Sequence, residues 1–150
     1  MILFQKLLRH ILLIIGLLLV AAFTATAQTG GNKIIGVWCN ETNTVHVEFF
    51  QSGNSYSGKI VWMDKPNDEN GKLKTDKNNP DSKLRSRSIM GLSIIWNLKF
   101  QNTQWVGGSI YNPSKGIKAS CNIEMPDSNT LTIKASKSLF STVKTWKRIK

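Results

Sequence analysis

Histidine and cysteine are scarce in this chain of 150 residues, two of each, and that scarcity removes several chemistries. His10 sits in an apolar N-terminal segment, which leaves His46 alone in the rest of the chain. A Ser-His-Asp or Cys-His arrangement would have to rest on His46, with no evident third group to orient it. Alternation sets His46 opposite Val45 and Val47, where an ordinary surface histidine is expected. One histidine with two widely separated cysteines falls short of the four ligands of a structural zinc site. Asp68-Glu69-Asn70-Gly71 hints at a calcium loop, but the EF-hand spacing asks for an acid where Pro66 stands and a Glu where Lys77 stands. The expectation is therefore no catalytic residue, no metal and no cofactor. Acid is also missing from the C-terminal end: after Leu131 come Lys134, Lys137, Lys144, Lys147, Arg148 and Lys150, with no Asp or Glu among them.

What is present begins with an address. Lys6 and Arg9 form a positive stretch, 11–23 is an unbroken apolar run of 13 residues, and Ala25-Thr26-Ala27 supplies a small-x-small cleavage pattern. That run is short of the roughly 20 residues of a membrane-spanning helix. The reading is a signal peptide helix over 1–27, cleaved between Ala27 and Gln28, with no stable membrane span afterwards and a periplasmic or secreted product. Cleavage removes Lys6 and Arg9 and no acid, so the net charge of +11 becomes +9. This basicity offers a footprint for an anionic envelope component, although strand spacing spreads the C-terminal lysines over both faces, as on any solvated basic surface. Nucleic acid is not expected as a partner of an exported chain that lacks a recognised binding motif.

No stretch after the signal sustains a helical period. Short runs rich in β-branched and aromatic residues are instead punctuated by Gly, Asn, Pro and Ser, and strands are expected near 34–39, 44–51, 55–63, 92–100, 104–111, 116–125, 130–135 and 143–149. Ile117, Ala119, Cys121, Ile123 and Met125 alternate with Lys118, Ser120, Asn122 and Glu124, one face for the core and one for water. Eight short strands in meander order point to an all-β fold, a single small antiparallel up-and-down β-barrel over 28–150, because closure removes exposed edges. In such a barrel the first and last strands meet, and Gly36, Trp38, Trp146 and Arg148 are the residues assigned to the closure. Arg148 is expected to stack on Trp38 and bond carbonyls at the barrel end, a task for a planar fork rather than an ammonium. With five tryptophans available, the interior is expected to be largely filled and any ligand site shallow and near the mouth.

A polar insertion at 64–91 breaks the rhythm. A segment that long is usually a lid, a binding loop or a disordered tract, and Pro80 argues for order. Asp76, Asn79, Asp81, Arg85 and Arg87 crowd charge and amide into it. Either they satisfy one another and staple the loop across the barrel, or they rim the mouth and present an arginine to an anionic ligand group. They are the candidate ligand-binding residues. Cys39 and Cys121 fall on opposite faces if Trp38 points inward, a poor placement for the roughly 5.5–6 Å Cα separation of a disulfide, so both are expected as free thiols.

Gly36-Val37-Trp38, Gly58-Lys59-Ile60-Val61-Trp62, Thr75-Asp76-Lys77-Asn78-Asn79-Pro80-Asp81 with Leu84-Arg85-Ser86-Arg87, Gly107-Gly108-Ser109-Ile110-Tyr111-Asn112-Pro113 and Thr145-Trp146-Lys147-Arg148 occur in that order. In this the chain resembles the exported bacterial domain-of-unknown-function family 2147. The resemblance implies a calycin-like, lipocalin-like small barrel and no established activity. It departs at Ser52 and Ser57, where many members carry cysteines, and at Ser88, where a proline is frequent. The leading expectation is a non-catalytic module holding a small apolar or amphipathic ligand at the barrel mouth; the alternatives are an envelope interaction protein using its basic surface and an enzyme using the loop Asp and Arg residues.

Overall fold

In the computed structural model, His10 and residues 30–150 are described; the expected signal helix and the boundary after Ala27 lie, His10 apart, outside them. Eight antiparallel strands close into one barrel in sequence order: β1 (Gly36–Cys39), β2 (Val45–Ser52), β3 (Ser55–Met63), β4 (Ser93–Gln101), β5 (Gln104–Asn112), β6 (Ile117–Asp127), β7 (Thr130–Lys137) and β8 (Phe140–Arg148). The hairpins β2–β3, β4–β5, β6–β7 and β7–β8 turn within two residues. Three of these turns use positive φ, at Gly53, at Asn102 and Thr103, and at Ser138, while the β6–β7 turn through Ser128 and Asn129 does not.

The seam is short and strongly specified. Trp38 is the register partner of Arg148 and Cys39 of Lys147. The Arg148 guanidinium lies 4.0 Å from the centre of the Trp38 ring. Its nitrogens donate to the carbonyls of Ser128, Ile35 and Lys33 at 2.7, 2.9 and 2.6 Å. Gly36 has φ +135°, and a Cβ there would collide with the Lys150 carbonyl and with Arg148 Nη1. Gly36, Trp38 and Arg148 thus meet at the seam. Trp146 is buried beside them on β8, edge-on to Phe49 with ring centres 6.4 Å apart.

The first expected strand begins two residues too early. Asn32–Ile34 form a 3-10 turn that plugs the barrel end below the seam, held by aromatic side chains: Trp38 Nε1 donates to the Ile34 carbonyl at 2.8 Å, Trp105 Nε1 to the Gly31 carbonyl at 3.0 Å, and the Tyr56 hydroxyl to Asn32 Oδ1 at 2.9 Å. Ile34 is wholly buried as the plug's apolar stopper. Above it Trp38, Val47, Phe49, Leu98, Trp105, Ile123 and Leu131 fill the lower barrel.

A bulge then changes which tryptophans point inward. Val47 pairs with Ile60, but His46 pairs with Trp62, so Val61 is an extra residue on β3. The bulge flips the alternation, and Trp62 stands 40% exposed, its ring stacked on His46 at 4.2 Å. Trp96, half-buried, lies beneath the Lys118 ammonium. Only Trp38, Trp105 and Trp146 remain to fill space inside. The barrel is thus filled in its lower part, as expected, but not at its upper end. The β7–β8 hairpin is also longer than expected, since β8 starts at Phe140 rather than near Val143.

Cys39 and Cys121 are free thiols. Cys121 is buried against the core, and burial pushes its thiol up to about 12.

Candidate functional site: the open end of the barrel

Inward-facing residues lose their burial as the strands climb away from the plug. On β7, Leu131 and Ile133 are buried, Ala135 is half-buried and Lys137 is exposed. On β8, Trp146 is buried while Lys144, Thr142 and Phe140 are exposed on the same face. On β6, Cys121 is buried, Ala119 half-buried and Ile117 40% exposed. An apolar side chain that points inward yet meets solvent marks space that the protein does not fill. That space is a cavity of about 1170 Å³.

Its floor and walls are apolar: Trp146, Ile60, Ile133, Ile94 and Ile110 line it, with Ala119 and Ala135 leaving room where larger side chains would close it. The rim is basic. Lys65, Lys74, Lys115, Lys137 and Lys144 line it against two acids, Glu41 and Asp64. Glu41 is already engaged, accepting the Thr145 amide at 2.9 Å and the Lys144 ammonium at 3.2 Å. The Thr145 amide and the Lys144 ammonium hold its carboxyl below the usual range. Among the described residues Lys65, Lys74, Lys115 and Lys137 form no salt bridge. The β1–β2 turn that carries Glu41 is organised by Asn40, whose Oδ1 accepts the amides of Thr44 and Val45 at 2.8 and 3.0 Å.

The 64–91 insertion is held by its own hydrogen bonds and bridges. Bridges join Asn67 to Leu73 and Thr75 to Ser88, and Asp81 Oδ1 accepts the Lys83 amide at 3.0 Å to start the 3-10 turn Ser82–Leu84. Of the five candidate residues, Asp76, Asn79 and Arg87 come together. Asp76 is wholly buried. Its Oδ2 accepts Arg87 Nε and Nη2 at 3.0 and 2.8 Å and Asn79 Nδ2 at 2.7 Å, while Oδ1 accepts the Tyr111 hydroxyl at 2.6 Å. Burial works to raise the Asp76 carboxyl, but the hydrogen bonds from Tyr111, Asn79 and Arg87 outweigh it and hold it below the usual range. The Tyr111 phenol is pushed up, by burial first and then by Asp76. Arg85 stands apart, exposed, its Nε on the Asn79 carbonyl at 2.8 Å.

None of Asp76, Asn79, Asp81, Arg85 or Arg87 lines the cavity. What they do is geometric. The Asp76 amide bonds the Arg87 carbonyl and the Ile89 amide the Lys74 carbonyl, each at 3.0 Å, so the ion pair locks a short ladder whose next residues, Lys74 and Ile89, do line it. Asn78 Nδ2 donates to the Ser114 carbonyl at 2.7 Å and ties the loop to the β5–β6 hairpin. The sequence placed Ala119 on an inward face, Ile60 in a family motif and Lys137 and Lys144 in the basic C-terminal end, but assigned none of them, nor Ala135, Lys65, Lys74 or Lys115, to a ligand site. Their signal was the inward row that ends in Ala, Lys and Thr instead of large apolar residues.

His46 is not a cavity residue: it stacks on Trp62, with Nε2 3.1 Å from Asn43 Oδ1. Among the described residues, no three of His, Cys, Asp or Glu are grouped to hold a metal ion, and no helix is long and apolar enough to cross a membrane.

Residues 36–148 match the family described as an uncharacterized protein conserved in bacteria (DUF2147). The chain belongs to that family. Among solved structures it is similar to HP1028 from Helicobacter pylori, a protein of the lipocalin family, at 24% identity over 78% of this chain and 83% of that one, with a TM-score of 0.66. That likeness places this DUF2147 chain among lipocalin-like β-barrels. Comparison with curated proteins returned no match.

Proposed function

We propose that this DUF2147 protein is an exported, non-catalytic binding module that holds one small apolar or amphipathic molecule in the open half of its barrel. The observation that carries the reading is the cavity of about 1170 Å³ with a floor of Trp146, Ile60 and Ile133. Apolar walls with a few convergent polar groups are the ordinary anatomy of a small-molecule site. The basic rim gives the ligand a direction: an apolar body inside and an anionic head among Lys65, Lys74, Lys115 and Lys137. Holding rather than transforming fits the position of His46 outside the cavity and the use of Asp76 and Arg87 as an internal pair. Export rests on the charge, apolar run and small-residue pattern of 1–27. Native mass spectrometry of the protein purified from its own compartment is expected to show a mass above that of the polypeptide, with an amphiphile released on unfolding. Bare polypeptide mass, with no uptake of a long-chain fatty acid offered in solution, contradicts the reading.

A further inference from the structure

The β7–β8 hairpin ends in an apolar tip, where Phe140 lines the cavity mouth and Leu139 does not. Leu139 is 98% exposed, Phe140 82% and Val143 56%. Lys137 pairs directly with Phe140, leaving Ser138 and Leu139 as the two-residue turn, with Ser138 at φ +54°. Positive φ falls on Ser138 and not on Leu139, so the reversal makes no demand that a leucine meets. Single exposed leucines are ordinary; Leu139 and Phe140 adjacent at one hairpin end, with Val143 on the outer face three residues farther along β8, are less so.

The surroundings identify the partner. Lys137 flanks the tip on the inner face and Lys65, Lys74 and Lys115 stand around the same barrel end, none of the four in a salt bridge among the described residues, whereas Lys144 and Lys134 farther along the hairpin are held by Glu41 and Glu124. We propose that this tip inserts into an anionic lipid bilayer and sets the cavity mouth at the membrane surface. Leu139 and Phe140 enter the acyl boundary while the lysine stems lie along it and their ammonium groups reach lipid phosphates. The shape favours a bilayer over a protein partner, because a narrow tip ringed by cations offers no broad apolar patch for a protein core contact. The inference stands independently of the cavity reading, although together they let an amphiphile pass between bilayer and barrel without crossing water.

Flotation of the full mature chain with phosphatidylcholine vesicles, with and without phosphatidylglycerol, tests it. The expected result is binding that requires phosphatidylglycerol, weakens with salt, falls about tenfold or more in Leu139→Asp and strengthens in Leu139→Trp. Leu139 does not line the cavity, so fatty-acid uptake in solution should be the same in Leu139→Asp and wild type, which separates failure of this proposal from failure of the ligand reading. Equal vesicle binding by Leu139→Asp and wild type would leave only a non-specific basic surface and overturn the insertion. So would no binding to either vesicle, or a concentration-dependent dimer dispersed by Leu139→Asp in the absence of lipid, which would make a second copy the partner.

Discussion

Asp76 shows how much one side chain can carry when it is buried and fully partnered. Removing it strands the Arg87 guanidinium, the Tyr111 hydroxyl and the Asn79 amide together, each of which was paid for by a hydrogen bond to the carboxylate. Its carboxyl is held low in the folded protein, whereas in the unfolded chain it titrates near 3.9. The unfolded state therefore binds the proton first as pH falls, and Asp76 contributes stability that is complete above about pH 5 and is lost as pH drops through the folded value. The melting temperature of wild type is expected to fall steeply below about pH 4, and that of Asp76→Asn to start lower at neutral pH and fall less. Glu41 and Asp127, held low by the backbone amides of Thr145 and Asn129, leave the variant some residual dependence. Parallel curves for the two proteins would contradict the buried, ionised state of Asp76.

At the scale of elements, the insertion and the strands were legible to different depths. Alternation in Val45 to Phe49 and Ile117 to Met125, with the turns at Gly53 and Asp127-Ser128-Asn129, was enough to order eight strands, because facing is a local property of a pleated chain. The partner of Asp76 was not, since Tyr111 lies 35 residues away and only the closed barrel brings it near. Nor was the Val61 bulge, which carries no glycine or turn residue to announce it, and it alone turns Trp62 outward. Ile34-Ile35 reads as strand by its β-branched residues, yet the tertiary pull of Trp38 and Trp105 on the carbonyls of Ile34 and Gly31 makes a plug of that segment instead. For the insertion, Arg87→Ala is expected to cost about 2–3 kcal/mol of stability by leaving buried Asp76 without its cation. Arg85→Ala, losing one exposed contact to a carbonyl, should cost less than about 1 kcal/mol. Equal melting temperatures in the two variants, read by thermal denaturation, would mean that the loop is not stapled through Arg87.

On the scale of the whole molecule, the barrel divides into two halves with different work. The lower half is filled by the 3-10 plug, Trp105, Phe49 and the Trp38–Arg148 seam. Above Trp146 the same strands continue with Ala119, Ala135 and lysines in the inward positions, and the interior opens. Sequence alternation tells which way a residue faces but not whether the space it faces is occupied, which is why the cavity could be found only in three dimensions. The claim that this space is a ligand site is tested most directly by filling it. Ala135→Trp places a large side chain on the cavity wall, at a position outside the plug, the seam and the Asp76 pair. In a fluorescence titration with an apolar anionic probe such as anilinonaphthalene sulfonate, wild type is expected to bind saturably and Ala135→Trp to lose at least about tenfold in affinity while keeping its melting temperature. Undiminished probe binding by a folded Ala135→Trp protein would place the ligand elsewhere and contradict the account.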